Sequence, residues 1–286
     1  MKIFEKTHHL KALLSQLKKQ NKTIGFVPTM GALHEGHLSL IKRAKQKNDI
    51  VVVSIFVNPT QFDNKDDLEK YPKPLKNDIT LLETISCDIL FSPTVDEIYT
   101  EKIVSEKFDF DGLEHQMEGK FREGHFDGVG TIVKTLFEII EPNKAYFGEK
   151  DFQQLQIIKK MVEKHQLSVK IKGCPIFREK DGLAMSSRNA RLSKEHRKAA
   201  PFIFKTLEKV QQKFVTENPK EISEWVEKEF KKHPLLVLEY FVIANEKTLE
   251  VINVKNPNQK YRAFLAVFAG TIRLIDTIRL NSIKNL

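Results

Sequence analysis

Apolar residues recur along the first 170 or so positions with two alternating periods, and the alternation predicts a layered fold. Leu10, Leu13, Leu14 and Leu17 stand at i, i+3, i+4 and i+7, one face of an amphipathic helix, and Thr23 to Val27 follows as a short buried strand. The same unit then recurs as a helical stretch from about Gly36 to Lys47, the strand-like run IVVVSIFV, a helix marked by Leu75, Ile79 and Leu82, and a strand near Asp88 to Phe91. Val129, Ile132, Val133, Leu136, Phe137 and Ile140 mark a longer helix. Ala145 to Phe147 reads as a strand, Leu155, Ile158 and Val162 as another helix, and Val169 to Ile171 as a closing strand. The strand runs are almost continuously apolar, as in strands covered on both faces. The spacing therefore predicts a doubly wound parallel-sheet α/β domain, with ligands beyond the carboxyl ends of its strands. Near residue 178 the pattern changes. A loop-like REKDGLAMSSRN segment precedes two long charged helical stretches, Lys194 to Val215 and Lys220 to Lys232. Three strand-like runs, LLVLEYFVIA, YRAFLAVFAG and TIRLIDTIRL, then complete a smaller α+β C-terminal domain. The expected division is residues 1–177 and 178–286.

Composition changes this picture little. With 286 residues, 41% hydrophobic and 30% charged, the chain is neither disordered nor of low complexity. Its net charge of +9 leaves nucleic acid, an anionic membrane surface or a phosphorylated substrate open, but the lysines are spread along the chain without a block of like charge. Solvated helix faces are the expected reading, with no nucleic-acid or membrane partner. Cys87 and Cys174 can build neither a disulfide framework nor a zinc site, and the first residues contain no apolar signal core, so a cytoplasmic protein is expected.

Four stretches carry candidate chemistry. Gly25 to Leu40, GFVPTMGALHEGHLSL, places a strand, a turn and two histidines, His34 and His37, at the start of a helix. A helix N-terminus offers free N–H groups to phosphate, Gly31 and Gly36 allow close backbone approach, and two imidazoles can stabilise charge on a reacting phosphoryl group. A zinc reading fits less well, because the HExxH spacing is absent. Gln61, in Val57-Asn58-Pro59-Thr60-Gln61-Phe62, follows the second strand and suits a hydroxyl or carboxylate, although a solvated loop residue reads the same way. In YFGEKDFQQ, Lys150 can place a point charge on phosphate and Asp151 can take ribose hydroxyls or cap the helix. In DGLAMSSRN, two hydroxyls and Arg188 suit a mobile cover over a triphosphate, or a serine-rich linker. A fifth stretch, Arg122-Glu123-Gly124-His125-Phe126, reads as an anion loop or an ordinary helix-capping loop.

The combination PTMGALHEGH, FVNPTQF, YFGEKDFQQL and DGLAMSSRN, closed by FLAVFAGTIRLID, resembles the pantothenate synthetase (pantoate–β-alanine ligase) family across nearly the whole chain. The histidine motif also resembles that of the wider nucleotidylyltransferase superfamily, in which MSSRN would stand at a mobile phosphate-contacting loop. The resemblance implies a Rossmann-like first domain that binds ATP and pantoate. It also implies condensation of (R)-pantoate with β-alanine through a pantoyl adenylate, with AMP and pyrophosphate released. Carried over residue by residue, it places ATP on Met30, Gly31, Ala32, Leu33, His34, Glu35, Gly36 and His37, on Gly148, Glu149, Lys150 and Asp151, on Phe177, and on Met185, Ser186, Ser187 and Arg188. His37, His34, Lys150 and Arg188 would be catalytic, His37 as proton donor or phosphate stabiliser, while Gln61 and Gln154 would hold pantoate, Gln61 also lying near β-alanine. Mg²⁺ is expected with ATP, held mainly by the triphosphate, with no protein metal site. A homodimer is also implied, to which the IVVVSIFV region is expected to contribute. Two positions depart from the family: Phe177 stands where valine is frequent, and Glu123 replaces a proline before Gly124. Two other readings stay open, a nucleotidylyltransferase acting on a phosphorylated acceptor and a non-catalytic RNA-binding module.

Overall fold

The computed structural model describes residues 1–62, 68–69 and 71–280. The chain forms two compact units, one of Met1–Gly148 with Gln154–Pro175, the other of Glu149–Gln153 with Ile176–Leu286.

The first unit carries a six-stranded, all-parallel sheet. In chain order its elements are β1 (Lys2–Phe4), α1 (Thr7–Lys19), β2 (Ile24–Thr29), α2 (Glu35–Lys45), β3 (Ile50–Ile55), α3 (Leu75–Thr84), β4 (Ile89–Phe91), α4 (Val95–Ile98), α5 (Met117–Phe121), α6 (His125–Ile140), β5 (Lys144–Gly148) and β6 (Lys170–Cys174), with α7 (Phe152–Lys164) between the last two strands. The strand order is β1-β4-β3-β2-β5-β6. The order reverses at β2, so the crevice for a ligand opens past the carboxyl ends of β2 and its neighbours.

Both faces of the sheet are covered, as the apolar runs predict. On one face Val27, Val51, Val53 and Tyr146 join Leu38, Ile41 and Ala44 of α2 and Leu82 of α3 in one cluster. On the other, the Phe137 ring of α6 sits 6.1 Å from Phe26 and 6.5 Å from Phe147. Successive strand residues thus pack on opposite faces. The IVVVSIFV region does not offer a free edge to a second copy: β3 is flanked by β4 and β2, and Val51, Val52 and Val53 are fully buried. Helix α6 begins after Gly124 at φ +73° and stops at Glu141 at φ +48°, whose N–H donates to the Phe137 carbonyl.

The second unit carries an antiparallel sheet of order β7-β8-β9, formed by β7 (Leu236–Asn245), β8 (Tyr261–Ala269) and β9 (Ile272–Leu280). Helices α8 (Lys194–Ala199), α9 (Phe202–Lys213) and α10 (Pro219–Lys231) precede it. Ile203, Leu207 and Val210 of α9 and Ile222, Val226 and Phe230 of α10 pack with Ala263, Leu265 and Val267 of the central strand β8. Asn218 and Glu221 cap α10 reciprocally, with Pro219 in the first helical position, where its missing N–H costs nothing.

Two differences from the expected elements have physical causes. The stretch Lys194 to Val215 is two helices, because Pro201 has no N–H to donate and its ring crowds the preceding turn. The edge strand β1, parallel to β4, is only three residues long and too short to show a period.

Candidate active site

In the first unit the site is built on the loop that leaves β2. Thr29 ends the strand with its hydroxyl donating to the Ser54 carbonyl at 2.7 Å, and Pro28 falls where β2 no longer pairs with β5. The chain then turns through two left-handed residues, Gly31 at φ +82° and Ala32 at φ +49°. A Cβ at Gly31 would come within 3.0 Å of Asp78 Oδ2 and 3.1 Å of Ile55 Cγ2, so a side chain there would crowd the Asp78 carboxylate as well as strain the backbone. Left-handed backbone at alanine is unfavourable by about 1–2 kcal/mol. It is held by Asp78, whose two carboxylate oxygens accept the Ala32 N–H at 2.9 Å and the Leu33 N–H at 2.8 Å. Burial pushes the Asp78 carboxyl above its ordinary value, while these two N–H bonds pull it down.

Asp78 belongs to the candidate site, although sequence motifs did not point to it. It is 1% exposed and lies on α3 among Leu75, Ile79 and Leu82, at i+3 of a stripe that is otherwise apolar. An acid in that position was the available signal.

The loop delivers His34 to the N-cap of α2, where its carbonyl accepts the Leu38 N–H at 3.1 Å. One turn on, the His37 ring stacks on that of His34, with centroids 4.0 Å apart and planes inclined by 29°. The open N–H groups of the first turn and the two half-buried imidazoles therefore share one end of α2.

Gln61 reaches the same place from β3. Asn58, fully buried, donates from Nδ2 to the Gly128 carbonyl at 2.9 Å and accepts the Tyr99 hydroxyl at 2.6 Å, which seats the Pro59–Gln61 turn against α6. The Gln61 Nε2 donates to Met30 Sδ, joining two motifs that lie 31 residues apart. The Gln61 backbone carbonyl is held by His125 Nδ1 at 2.8 Å and by the Arg122 guanidinium at 3.4 Å, and Arg122 Nη1 lies 3.2 Å from His125 Nε2. These partners assign the Nδ1–H tautomer to His125. The REGHF stretch is thus a brace for Gln61, and Glu123 leaves Arg122 in place. Gly148 ends β5, where a Cβ would meet nothing within 4 Å, and Gln154 stands half-buried on the first turn of α7.

In the second unit, Glu149–Asp151 forms a single 3-10 turn in which Lys150 Nζ lies 3.6 Å from Asp151 Oδ2. Phe177 is 39% exposed, and its carbonyl accepts the Met185 N–H at 3.0 Å. Arg178 is held by Asp276 through two bonds of 2.7 and 3.0 Å and stacks 3.6 Å from the Phe204 ring centre. Asp276 is 3% exposed; burial drives its carboxyl up and Arg178 opposes this. Ser186 caps the Ser187–Arg191 turn by accepting the Arg188 N–H at 3.2 Å, and Asn189 donates to Glu179 and to the Ala184 carbonyl. The segment that reads in the sequence as a mobile cover or a serine-rich linker forms a turn tied by these bonds. Among the described residues, no group of three His, Cys, Asp or Glu could hold a metal ion.

In the first unit the structure joins Gln61 to Met30 and His34 to His37, with Met30 and His34 on the one loop that leaves β2. It places Glu149, Lys150, Asp151, Phe177 and Met185 to Arg188 in the second.

The family model for pantoate-beta-alanine ligase matches residues 2–279. A pantothenate synthetase from Christiangramia forsetii is 56% identical over 283 residues, 99% of this chain and 100% of the relative, and one from Flavobacterium psychrophilum is 54% identical over 98% and 100%. Among solved structures, the pantothenate synthetase of Thermus thermophilus superposes with a TM-score of 0.91 at 37% identity, over 98% of this chain and 100% of that one. The pantoate-beta-alanine ligase of Francisella tularensis, complexed with β-γ ATP and β-alanine, gives 0.80 at 38% identity over 98% and 97%. A histidine-bearing loop on a doubly wound sheet, a small antiparallel second unit and matches over the full length agree, and the chain belongs to the pantoate-beta-alanine ligase family.

Proposed function

We propose that this family member condenses (R)-pantoate with β-alanine in two steps. A pantoate carboxylate oxygen attacks the α-phosphorus of ATP, the bond to the β-phosphate breaks, and pantoyl adenylate and pyrophosphate form. The β-alanine amine then attacks the acyl carbon, the acyl–phosphate bond breaks, the amine gives up a proton, and AMP and pantothenate leave. A carboxylate is already nucleophilic, so the protein's task is positioning and charge stabilisation.

The observation that carries this reading is the paired His34 and His37 at the N-terminus of α2, with Gln61 drawn to the same loop through Met30. In it, Met30 to His37 hold the ATP phosphates, and His37 and His34 donate to phosphoryl oxygens as charge develops. Gly148, Lys150 and Asp151 contact phosphate and ribose, with Glu149 beside them, Phe177 lies at the adenine, and Met185, Ser186, Ser187 and Arg188 follow the departing pyrophosphate. Gln61 and Gln154 hold pantoate. Magnesium enters as part of the ATP substrate, bound by its phosphates. Support for the nucleotide and the amine comes from the Francisella tularensis ligase, complexed with β-γ ATP and β-alanine. The family reading also has the chain acting as a cytoplasmic homodimer; no helix among the described residues is long and apolar enough to cross a membrane.

The test is formation of AMP and pantothenate from ATP, D-pantoate and β-alanine with Mg²⁺, each component omitted in turn. Pyrophosphate release that requires pantoate but not β-alanine is the expected result. Folded protein that releases none overturns the reading.

A further inference from the structure

We infer that Arg262 is a positioning residue for the nucleotide: from the sheet of the second unit it fixes Glu149 and Phe152, and so the Lys150–Asp151 pair between them. The inference rests on the proposed role of Lys150 and Asp151 as nucleotide contacts.

Glu149–Gln153 packs with the second unit although the chain on both sides of it belongs to the first. Arg262 supplies the cause. It stands on β8, 2% exposed, with Nη2 donating to Glu149 Oε2 at 2.9 Å and Nε to Glu246 Oε1 at 3.1 Å. Its guanidinium carbon lies 4.0 Å from the Phe152 ring centre. A guanidinium this deeply buried needs compensating charge, and it has two carboxylates, one of them on the segment itself. Glu246 is shared with Arg279 at 3.0 Å, so Glu149 is the arm that reaches the 3-10 turn. With the residues before and after them held, Lys150 and Asp151 have little freedom left. The Glu149 carboxylate is directed at Arg262, which leaves Lys150 and Asp151 as the charged groups of the turn that Arg262 does not engage.

The neighbouring strand does the same for the second phosphate-contacting segment. Asp276 on β9, paired in register with Leu265 of β8, grips Arg178 at the base of the loop that carries Met185 to Arg188. The Lys150 charge also acts on Asp276, helping to hold its carboxyl down. Two adjacent strands thus present both segments through arginine–carboxylate pairs, each with one fully buried partner. A lysine at 262 could not donate to two carboxylates in a fork while lying flat on a ring.

Three variants test this: Arg262→Met, Arg262→Lys and Glu149→Gln, with the Glu149→Gln/Arg262→Met double. Each single variant is expected to raise KM for ATP about tenfold, the size of one lost charge-assisted hydrogen bond, with KM for β-alanine unchanged. The double variant is expected to be no worse than Arg262→Met. Amide exchange is expected to quicken at residues 149–153 and not in α9. If Arg262→Met fails to fold, Glu149→Gln, which leaves Arg262 paired with Glu246, carries the test. An unchanged KM for ATP with a lowered melting temperature, or unaltered exchange at residues 149–153, overturns the inference. Wild-type protein with no pantoate-dependent pyrophosphate release would instead overturn the proposed reaction, and the exchange arm would still decide the anchoring.

Discussion

His37 and Asp78 act on the same loop by different means, and substitution separates them. His37 is half-buried at the start of α2, stacked on His34. On the role proposed for it, replacing it by alanine removes a donor to the reacting phosphoryl group, so single-turnover adenylate formation is expected to fall about 10²–10³-fold, with the melting temperature nearly unchanged. A near-wild-type rate would remove the role. Asp78 works through the backbone of Ala32 and Leu33, and its carboxyl ionises later than an ordinary aspartate because it is buried. Between the ordinary value of 3.8 and the raised folded value, the folded state holds more protons than the unfolded state. Stability therefore declines as pH rises through that window, while the ionised clamp on the loop forms. Adenylation should rise with pH in a range above that of an exposed aspartate, and Asp78→Asn should lose that rise in a profile of kcat/KM for ATP. A profile the same in both proteins would dissociate Asp78 from the loop.

Gly128 lies on α6 directly under the Pro59–Gln61 turn. A Cβ there would stand 2.4 Å from the Thr60 carbonyl oxygen and 2.7 Å from Gln61 Cα. With Gln61 in its proposed role, Gly128→Ala should therefore raise KM for pantoate by displacing it, an effect to be read in steady-state kinetics beside the melting temperature. Before β7, His233 accepts the Leu235 N–H at Nδ1 and packs on Phe202, and burial lowers its pKa from the ordinary 6.5. In the window below 6.5 the unfolded state binds more protons, so stability falls as pH drops through it. His233→Gln should flatten the melting temperature between pH 5 and 7, a range set by the ordinary histidine value. Elements of this length were legible in the chain because their apolar periods span several turns or a whole strand, as α6 and the run Ile50 to Ile55 show. What stayed hidden depends on partners distant in sequence. The Arg122 and His125 bonds to Gln61 cross more than 60 positions, and no local pattern reports them. Pro201 was visible, but its break lies inside a stretch whose charge pattern alone reads as one helix.

The two units carry separate natural reporters. Cys87 and Cys174 are both buried in the first, and burial pushes the Cys87 thiol up to about 11; the sole tryptophan, Trp225, packs against the core of the second. Thiol alkylation should therefore follow opening of the first unit and tryptophan emission that of the second. Coincident transitions in denaturant would show that the units unfold together, and separated ones that they do not. The predicted boundary at 177/178 came from the change in the pattern of elements there; the excursion of Glu149–Gln153 into the second unit has no such signature, since it rests on Arg262, far along the chain. That excursion has a consequence for how the protein is made. The ribosome delivers Glu149 and Phe152 well before β8, so the turn carrying Lys150 must wait, unanchored, until β8 has been synthesised. A gene divided at residue 175 would likewise not encode two self-sufficient halves, because the later product would lack the carboxylate and the ring that Arg262 requires.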